Sequence, residues 1–272
     1  WHHSGSNGQQ LQIMKSKTKG RSCVPAKAVS LLDKMTEDVP IILGRNLVGI
    51  YLYGSITNSS FNPHRSDIDC VVVTHLTVSK NQFRRLRAWL ESMAKTNSWT
   101  TRLQVSFLVK NQLLVNSDPS NLTSCLYQFG KLQRCGSDGN PIIWLDHLRV
   151  GTTLVGPAAT SFLPEITEEL LNAALQREVG YLRDELANPQ SEWRDVPMYR
   201  AYATLTICRI LCTRAKGSVV SKPMAARWAM KQIPARFHGL IETALDYNKT
   251  GRDVQVPLRS LRSLLNITRT EN

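Results

Sequence analysis

No run of apolar residues in this chain approaches the roughly 20 that a helix needs to cross a bilayer, so a membrane-spanning protein is not expected. The N-terminus has no basic segment followed by an apolar one, which gives no expectation of a secretory signal and points to the cytoplasm. Six cysteines are present, but they form no CxxC pair and have no histidine at a matching spacing, which argues against a zinc site. Cys70 falls within an apolar run, and Cys208 and Cys212 stand one helical turn apart, as small buried thiols in a reducing compartment would. Acidic residues are scarce: 21 Asp and Glu stand against 34 Lys and Arg, a formal net charge of +13. Such a surface attracts polyanions, nucleoside triphosphates and nucleic acids alike, and charge alone does not choose between them. Aromatic residues make up only 7% of the chain, and no aromatic-rich RNA-binding strand accompanies the basic segment MKSKTKGR at 14–21. Residues 1–13, WHHSGSNGQQLQI, read as the remnant of a histidine tag and linker, with Met14 as a native start, and are set aside.

What remains is a chain with 42% hydrophobic and 20% charged residues, the balance of a globular protein, and at 272 residues it has room for two domains. Helical spacing runs from 25 to 46, with a break expected at Pro40. Strands are expected at LVGIYLYG (47–54), DIDCVVVT (67–74) and RLQVSFLVK (102–110). Between the last two, VSKNQFRRLRAWLESMAK (78–95) carries an apolar stripe of Phe83, Leu86 and Leu90, as a helix covering the sheet would. An extended piece is expected at 124–134, a turn at 137–141 and a short helix from near Trp144. GPAATSFLPEI (156–166) has the composition of a linker, and the periodicity beyond it is almost wholly helical. Ser221, before Lys222 and Pro223, has the form of a helix N-cap. The fold class expected is therefore α/β, a mixed sheet with helices at 14–156, followed by an all-helical domain at 157–272.

One stretch asks for a chemical explanation. In YGSITNSSFNPHRSDIDC a strand ends in Gly54-Ser55, and twelve residues later the next begins with Asp67-Ile68-Asp69. Alternation along a strand turns Asp67 and Asp69 to one face and Ile68 and Cys70 to the other. Two parallel carboxylates repel unless cations neutralise them, and Mg²⁺ commonly binds one or two carboxylates together with substrate phosphates. Gly54 lets a phosphate approach the backbone, and Ser55 offers it a hydroxyl and an N–H. A capped turn before a buried strand explains either half alone; both halves together favour a magnesium nucleotide.

Gly-Ser followed by Asp-x-Asp resembles the DNA polymerase β-like nucleotidyltransferase superfamily. More narrowly, LTICRILCTRAKGSVVSKPMAARWAMKQIPA (205–235) and YQFGKLQR (127–134) resemble the aminoglycoside adenylyltransferases that modify streptomycin at its 3″ hydroxyl and spectinomycin at its 9 hydroxyl. The resemblance implies an α+β nucleotidyltransferase fold with a C-terminal helical domain, ATP as co-substrate and Mg²⁺ as cofactor. It implies a small-molecule antibiotic as partner, no membrane partner and a monomer, with nucleic acid kept open only by the charge. Asp67 and Asp69 become the metal-binding catalytic pair, with Gly54, Ser55 and Ser66 around the nucleotide. Arg209, Lys222 and Tyr247 match nucleotide-binding positions of the second domain, so that ATP would be held from both domains.

Two departures stand out. The family's catalytic base is a glutamate on the third strand, where this chain has Gln104, an amide that cannot accept the acceptor hydroxyl's proton. Streptomycin-modifying members carry a tryptophan where this chain has Leu132 and an acidic residue where the ungapped position is Tyr199, with Trp193 and Asp195 as equivalents only after a register shift. Spectinomycin is therefore expected over streptomycin. The alternatives are transfer of the nucleotide to RNA or protein, or a catalytically impaired ATP- or antibiotic-binding protein.

Overall fold

Apolar residues at helical spacing set the first element. The computed structural model describes residues 24–58, 60–113, 123–134, 149–252 and 255–268. In it, helix α1 (Ala26–Leu43) turns Leu31, Leu32, Met35 and Val39 into the core, where each side chain contributes about 1.5–3 kcal/mol by leaving water. The break expected at Pro40 does not occur: α1 runs through it without interruption. Proline removes a single N–H and crowds the carbonyl one turn back. Burial of Val39, Ile42 and Leu43 on both sides of it holds the last turn, and the Pro40 carbonyl accepts the Gly44 N–H that closes the helix.

Strands β1 (Leu47–Tyr53), β2 (Ile68–Thr74) and β3 (Leu103–Val109) follow the expected positions closely. Helix α2 (Lys80–Thr96) joins β2 to β3 and starts on a capping box. There the Ser79 hydroxyl accepts the Gln82 N–H at 3.2 Å, and the Gln82 side chain accepts the Ser79 N–H at 3.0 Å. The extended piece at 124–134 is a hairpin of β4 (Thr123–Gln128) and β5 (Lys131–Gln133). Its turn residues Phe129 and Gly130 both have positive φ, the backbone twist that a two-residue hairpin needs. A sixth strand, β6 (Thr152–Val155), was not expected; four residues between glycines are too few to show a pattern. The sheet order is β5-β4-β3-β2-β1-β6. Only β2 and β3 run parallel, as a helical crossover requires, and all other neighbours are antiparallel. The expected turn at 137–141 and helix near Trp144, the basic segment at 14–21, the tag-like 1–13, Cys23 and Cys135 lie outside the described residues.

Two compact units divide after Glu165, with β6 and the 3₁₀ turn Ala159–Ser161 on the sheet side. The second unit comprises α3 (Glu168–Ala187), the single turn α4 (Glu192–Asp195), α5 (Pro197–Lys216), α6 (Lys222–Gln232), α7 (His238–Thr250) and α8 (Leu258–Asn266). Helix α5 is its centre, in contact with each of the other five helices, and it buries Leu205, Ile207, Cys208 and Ile210. Pro197 in the first turn and Gly217 in the left-handed conformation after the last fix its ends. Ser221 occupies the N-cap position of α6, although its side chain makes no capping hydrogen bond. Cys70, Cys125, Cys208 and Cys212 are buried in the two cores and take part in no disulfide. No helix among the described residues is long and apolar enough to cross a membrane.

Candidate active site

Pairing between β2 and β3 builds the acidic face. In the parallel register Asp69 stands beside Gln104, while Ile68 and Cys70 are fully buried on the opposite face with Leu103 and Val105. Asp67, Asp69 and Gln104 are all partly exposed, so the alternation turns these three to one side. The Gln104 amide donates a long hydrogen bond, 3.4 Å, to Asp67 Oδ2. Gly54, the first residue after β1, supports the pair. Its φ is +73°, and a Cβ there would lie 2.3 Å from Asp69 Oδ2. The carboxylate therefore occupies the space that any other residue's side chain would need.

The two nearby hydroxyls differ in setting. Ser55 lies in the 3₁₀ turn Gly54–Thr57, half-buried, and its carbonyl accepts the Asn58 N–H at 3.1 Å. Ser66 closes a tight loop: its hydroxyl accepts the Asn62 N–H at 2.9 Å, and its own N–H donates to the Asn62 carbonyl at 2.7 Å. The Ser66 hydroxyl proton stays available to an anion. His64 and Arg65, in the same loop, are exposed.

Among the described residues no three His, Cys, Asp or Glu side chains cluster as a metal site. Two adjacent carboxylates do fit one magnesium shared with substrate phosphates, whose oxygens complete the shell. The gap that Gly54 leaves at Asp69 keeps that carboxylate in place for it.

In the helical unit Trp193, Tyr199 and Lys222 are connected through Tyr202 and Tyr181 into one group. Trp193, in α4, stacks on Tyr199 at 5.2 Å between centroids and 22° between planes. Tyr181 and Tyr202 meet it edge-on, each at 5.6 Å. Lys222 Nζ then sits 3.6 Å from the Tyr202 ring centroid, a close cation–π contact. Tyr181 and Tyr202 remain 48% and 40% exposed, so the group is an accessible aromatic surface rather than core. Asp195 is 80% exposed, with one oxygen 4.0 Å from Arg200. On α3, Glu178 interacts electrostatically with both Arg209 and Lys222; burial raises its pKa above the ordinary 4.5, and the two cations oppose that rise. Tyr247 is half-buried on α7. In the sheet unit Leu132 lies on β5 opposite Tyr127, packed against that unit's core.

Residues 32–117 match the family model for a nucleotidyltransferase domain, and residues 161–269 match the one for the C-terminal domain of aminoglycoside adenylyltransferase. The helical unit is thus similar to the C-terminal domain of aminoglycoside adenylyltransferase, and the sheet unit to a nucleotidyltransferase domain. It is 27% identical over 238 residues to the aminoglycoside (3″)(9) adenylyltransferase of Klebsiella pneumoniae, covering 81% of this chain and 85% of that one. It is 24% identical over 216 residues to the spectinomycin 9-adenylyltransferase of Campylobacter jejuni, covering 75% and 78%. The fold matches a crystal structure of spectinomycin adenyltransferase AAD(9) from Enterococcus faecialis with ATP and spectinomycin, with a TM-score of 0.70 at 16% identity over 87% of this chain and 98% of that one. This chain has the Asp-x-Asp face and carries Gln104 beside it.

Glu178, Tyr181 and Tyr202 were missed from sequence. Tyr199 and Tyr202, three apart on a helix, share a face, and that spacing was a usable signal. Glu178 gave none, because a lone carboxylate on a helix reads as a solvated charge.

Proposed function

We propose that this chain transfers AMP from ATP to a hydroxyl of an aminocyclitol antibiotic, with release of pyrophosphate, in a Mg²⁺-dependent reaction that favours spectinomycin over streptomycin. The observation that carries the reading is the Asp67–Asp69–Gln104 face built over Gly54. The acceptor hydroxyl gives up its proton, to water in this chain or to the carboxylate in Gln104→Glu, and its oxygen forms a bond to the α-phosphorus as the bond to the β-phosphate oxygen breaks, with negative charge developing on the leaving pyrophosphate. Bound magnesium would neutralise part of that charge. Asp67 and Asp69 hold the metal-binding face, and Ser55 and Ser66 offer hydroxyl protons to phosphate oxygens. Arg209 and Lys222 bind the triphosphate, with Tyr247 beside the nucleotide, and Glu178 keeps the two cations from repelling each other. Trp193, Tyr199 and Tyr202 give a face on which an aminocyclitol's ammonium groups can rest, with Asp195 as an acidic neighbour.

Spectinomycin is preferred because the position that carries a tryptophan in streptomycin-modifying relatives is Leu132, a partly buried side chain packed against the sheet unit's core. A second reading rests on Gln104: its amide donates to Asp67 and has no basic oxygen for the acceptor's proton, so the chain would bind Mg·ATP and antibiotic with little turnover. One assay separates the readings. Spectinomycin and streptomycin are incubated with Mg·ATP and either this chain or Gln104→Glu, and the adenylylated mass is followed. Transfer by the glutamate form alone identifies position 104 as the base and the modified drug as substrate. Modification of neither drug by either form would sink the antibiotic assignment.

A further inference from the structure

Arg102, at the last position of the 3₁₀ turn Ser98–Arg102, has no part in the reaction as described, yet it contacts Asp67 and the loop before it. Its Nη1 donates to the Pro63 carbonyl at 2.8 Å, and its Nη2 donates to the Ser66 carbonyl. Nε lies 3.9 Å from Asp67 Oδ1, the oxygen opposite the one that Gln104 contacts. The guanidinium lies over the Trp99 ring at 4.1 Å, and Trp99 stacks on Phe61, one residue before the loop begins. Both rings are buried. The turn is itself anchored, since Asn97 accepts the Trp99 N–H at 3.0 Å and donates to the Lys27 carbonyl in α1 at 2.8 Å. A rigid path thus runs from α1 through Asn97, Trp99 and Arg102 to the loop that carries Ser66 and Asp67.

We propose that Arg102 is a positioning residue, whose planar fork clamps the 62–66 loop by its carbonyls and sets where Ser66 and Asp67 meet Mg·ATP. The proposal rests on the reading of Asp67 and Asp69 as the metal-and-phosphate shell. Lysine cannot replace it, because an ammonium cannot span two carbonyls while lying flat on an indole. Both guanidinium ends are committed to backbone carbonyls, so the charge serves the loop and does not compete with magnesium for both Asp67 oxygens.

The test uses the full chain, Arg102→Lys and Arg102→Gln, with two readouts. Backbone hydrogen exchange follows residues 62–67 against β2 and β3, and calorimetry gives the Kd for ATP with Mg²⁺ and with EDTA. Both variants are expected to speed exchange in the loop by roughly tenfold, with the strands unchanged, and to raise the Kd of Mg·ATP by about tenfold, the loss of one charge-assisted contact. Metal-free ATP binding is expected to change by less than about twofold on the same scale. Loop exchange equal to the parent overturns the proposal, as does a loosened loop with unaltered Mg·ATP affinity. Parent-like behaviour of Arg102→Lys also overturns it, by making the charge alone sufficient. If the parent chain itself fails to bind Mg·ATP, the functional reading falls, and loop exchange still decides whether Arg102 is the clamp.

Discussion

The two units fix their charged groups by different means. In the sheet unit the backbone does it: β2–β3 register sets Asp69 beside Gln104, and the positive φ of Gly54 leaves room for a carboxylate. In the helical unit side chains hold side chains, with Lys222 resting on Tyr202, Tyr202 against Trp193, and Glu178 near both cations. A backbone-set site tolerates little change at its few special positions. A site of packed side chains spreads its energy over several contacts, so single substitutions there cost less.

The contrast orders the expected effects. Asp67→Ala is expected to lower AMP transfer by roughly 10³-fold, in whichever of the Gln104 and Gln104→Glu forms is more active, because a charge-neutralising site of several kcal/mol is lost. An unaltered thermal melt would show that the fold is intact. Gly54→Ala is expected to destabilise the chain by about 1–3 kcal/mol through its strained backbone and the displaced Asp69 carboxylate, read as a lower urea midpoint. A midpoint equal to the parent's would remove the claim that the backbone sets this site.

Lys222→Met is expected to raise KM for ATP by about tenfold with a smaller effect on kcat. An unchanged KM would reduce Lys222 to a surface charge held by an aromatic ring. Trp193→Ala is expected to raise KM for the antibiotic about fivefold and leave that for ATP alone, a split that a merely structural tryptophan would not give. The smallest effect is on stability against pH. The folded-state pKa of Glu178 is raised, so the folded state binds a proton more readily than the unfolded one, and stability falls as pH rises from 4.5 through the raised value. Glu178→Gln is expected to flatten that part of the stability curve, measured by urea melts across pH, and a curve of unchanged slope would exclude Glu178 as its source.

What could be read in advance follows the same division. Gly54-Ser55 and Asp67-x-Asp69 were legible because strand alternation ties sequence spacing directly to one face. The five long helices of the second unit were legible from their periodicity, whereas Pro40 misled because a local propensity yielded to the burial of its neighbours. β6 was too short to carry a pattern, and Arg102 acts through carbonyls, which have no signature in the amino-acid sequence. The aromatic group of the helical unit was only half visible, since Trp193 and Tyr199 reach their partners through packing between α3, α4 and α5.

The parallel ladder has one more consequence. β2 and β3 lie in the interior of a six-stranded sheet, and a slip of either strand by one residue would exchange its two faces. Asp69 would then point where Cys70 now lies among buried residues, and Cys70 would take its place at the surface. A misregistered chain would have to bury a carboxylate and would also lack the acidic face. Accurate folding and chemical competence are in this way inspected by a single checkpoint, and a stable but inert isomer of the sheet has no route to accumulate.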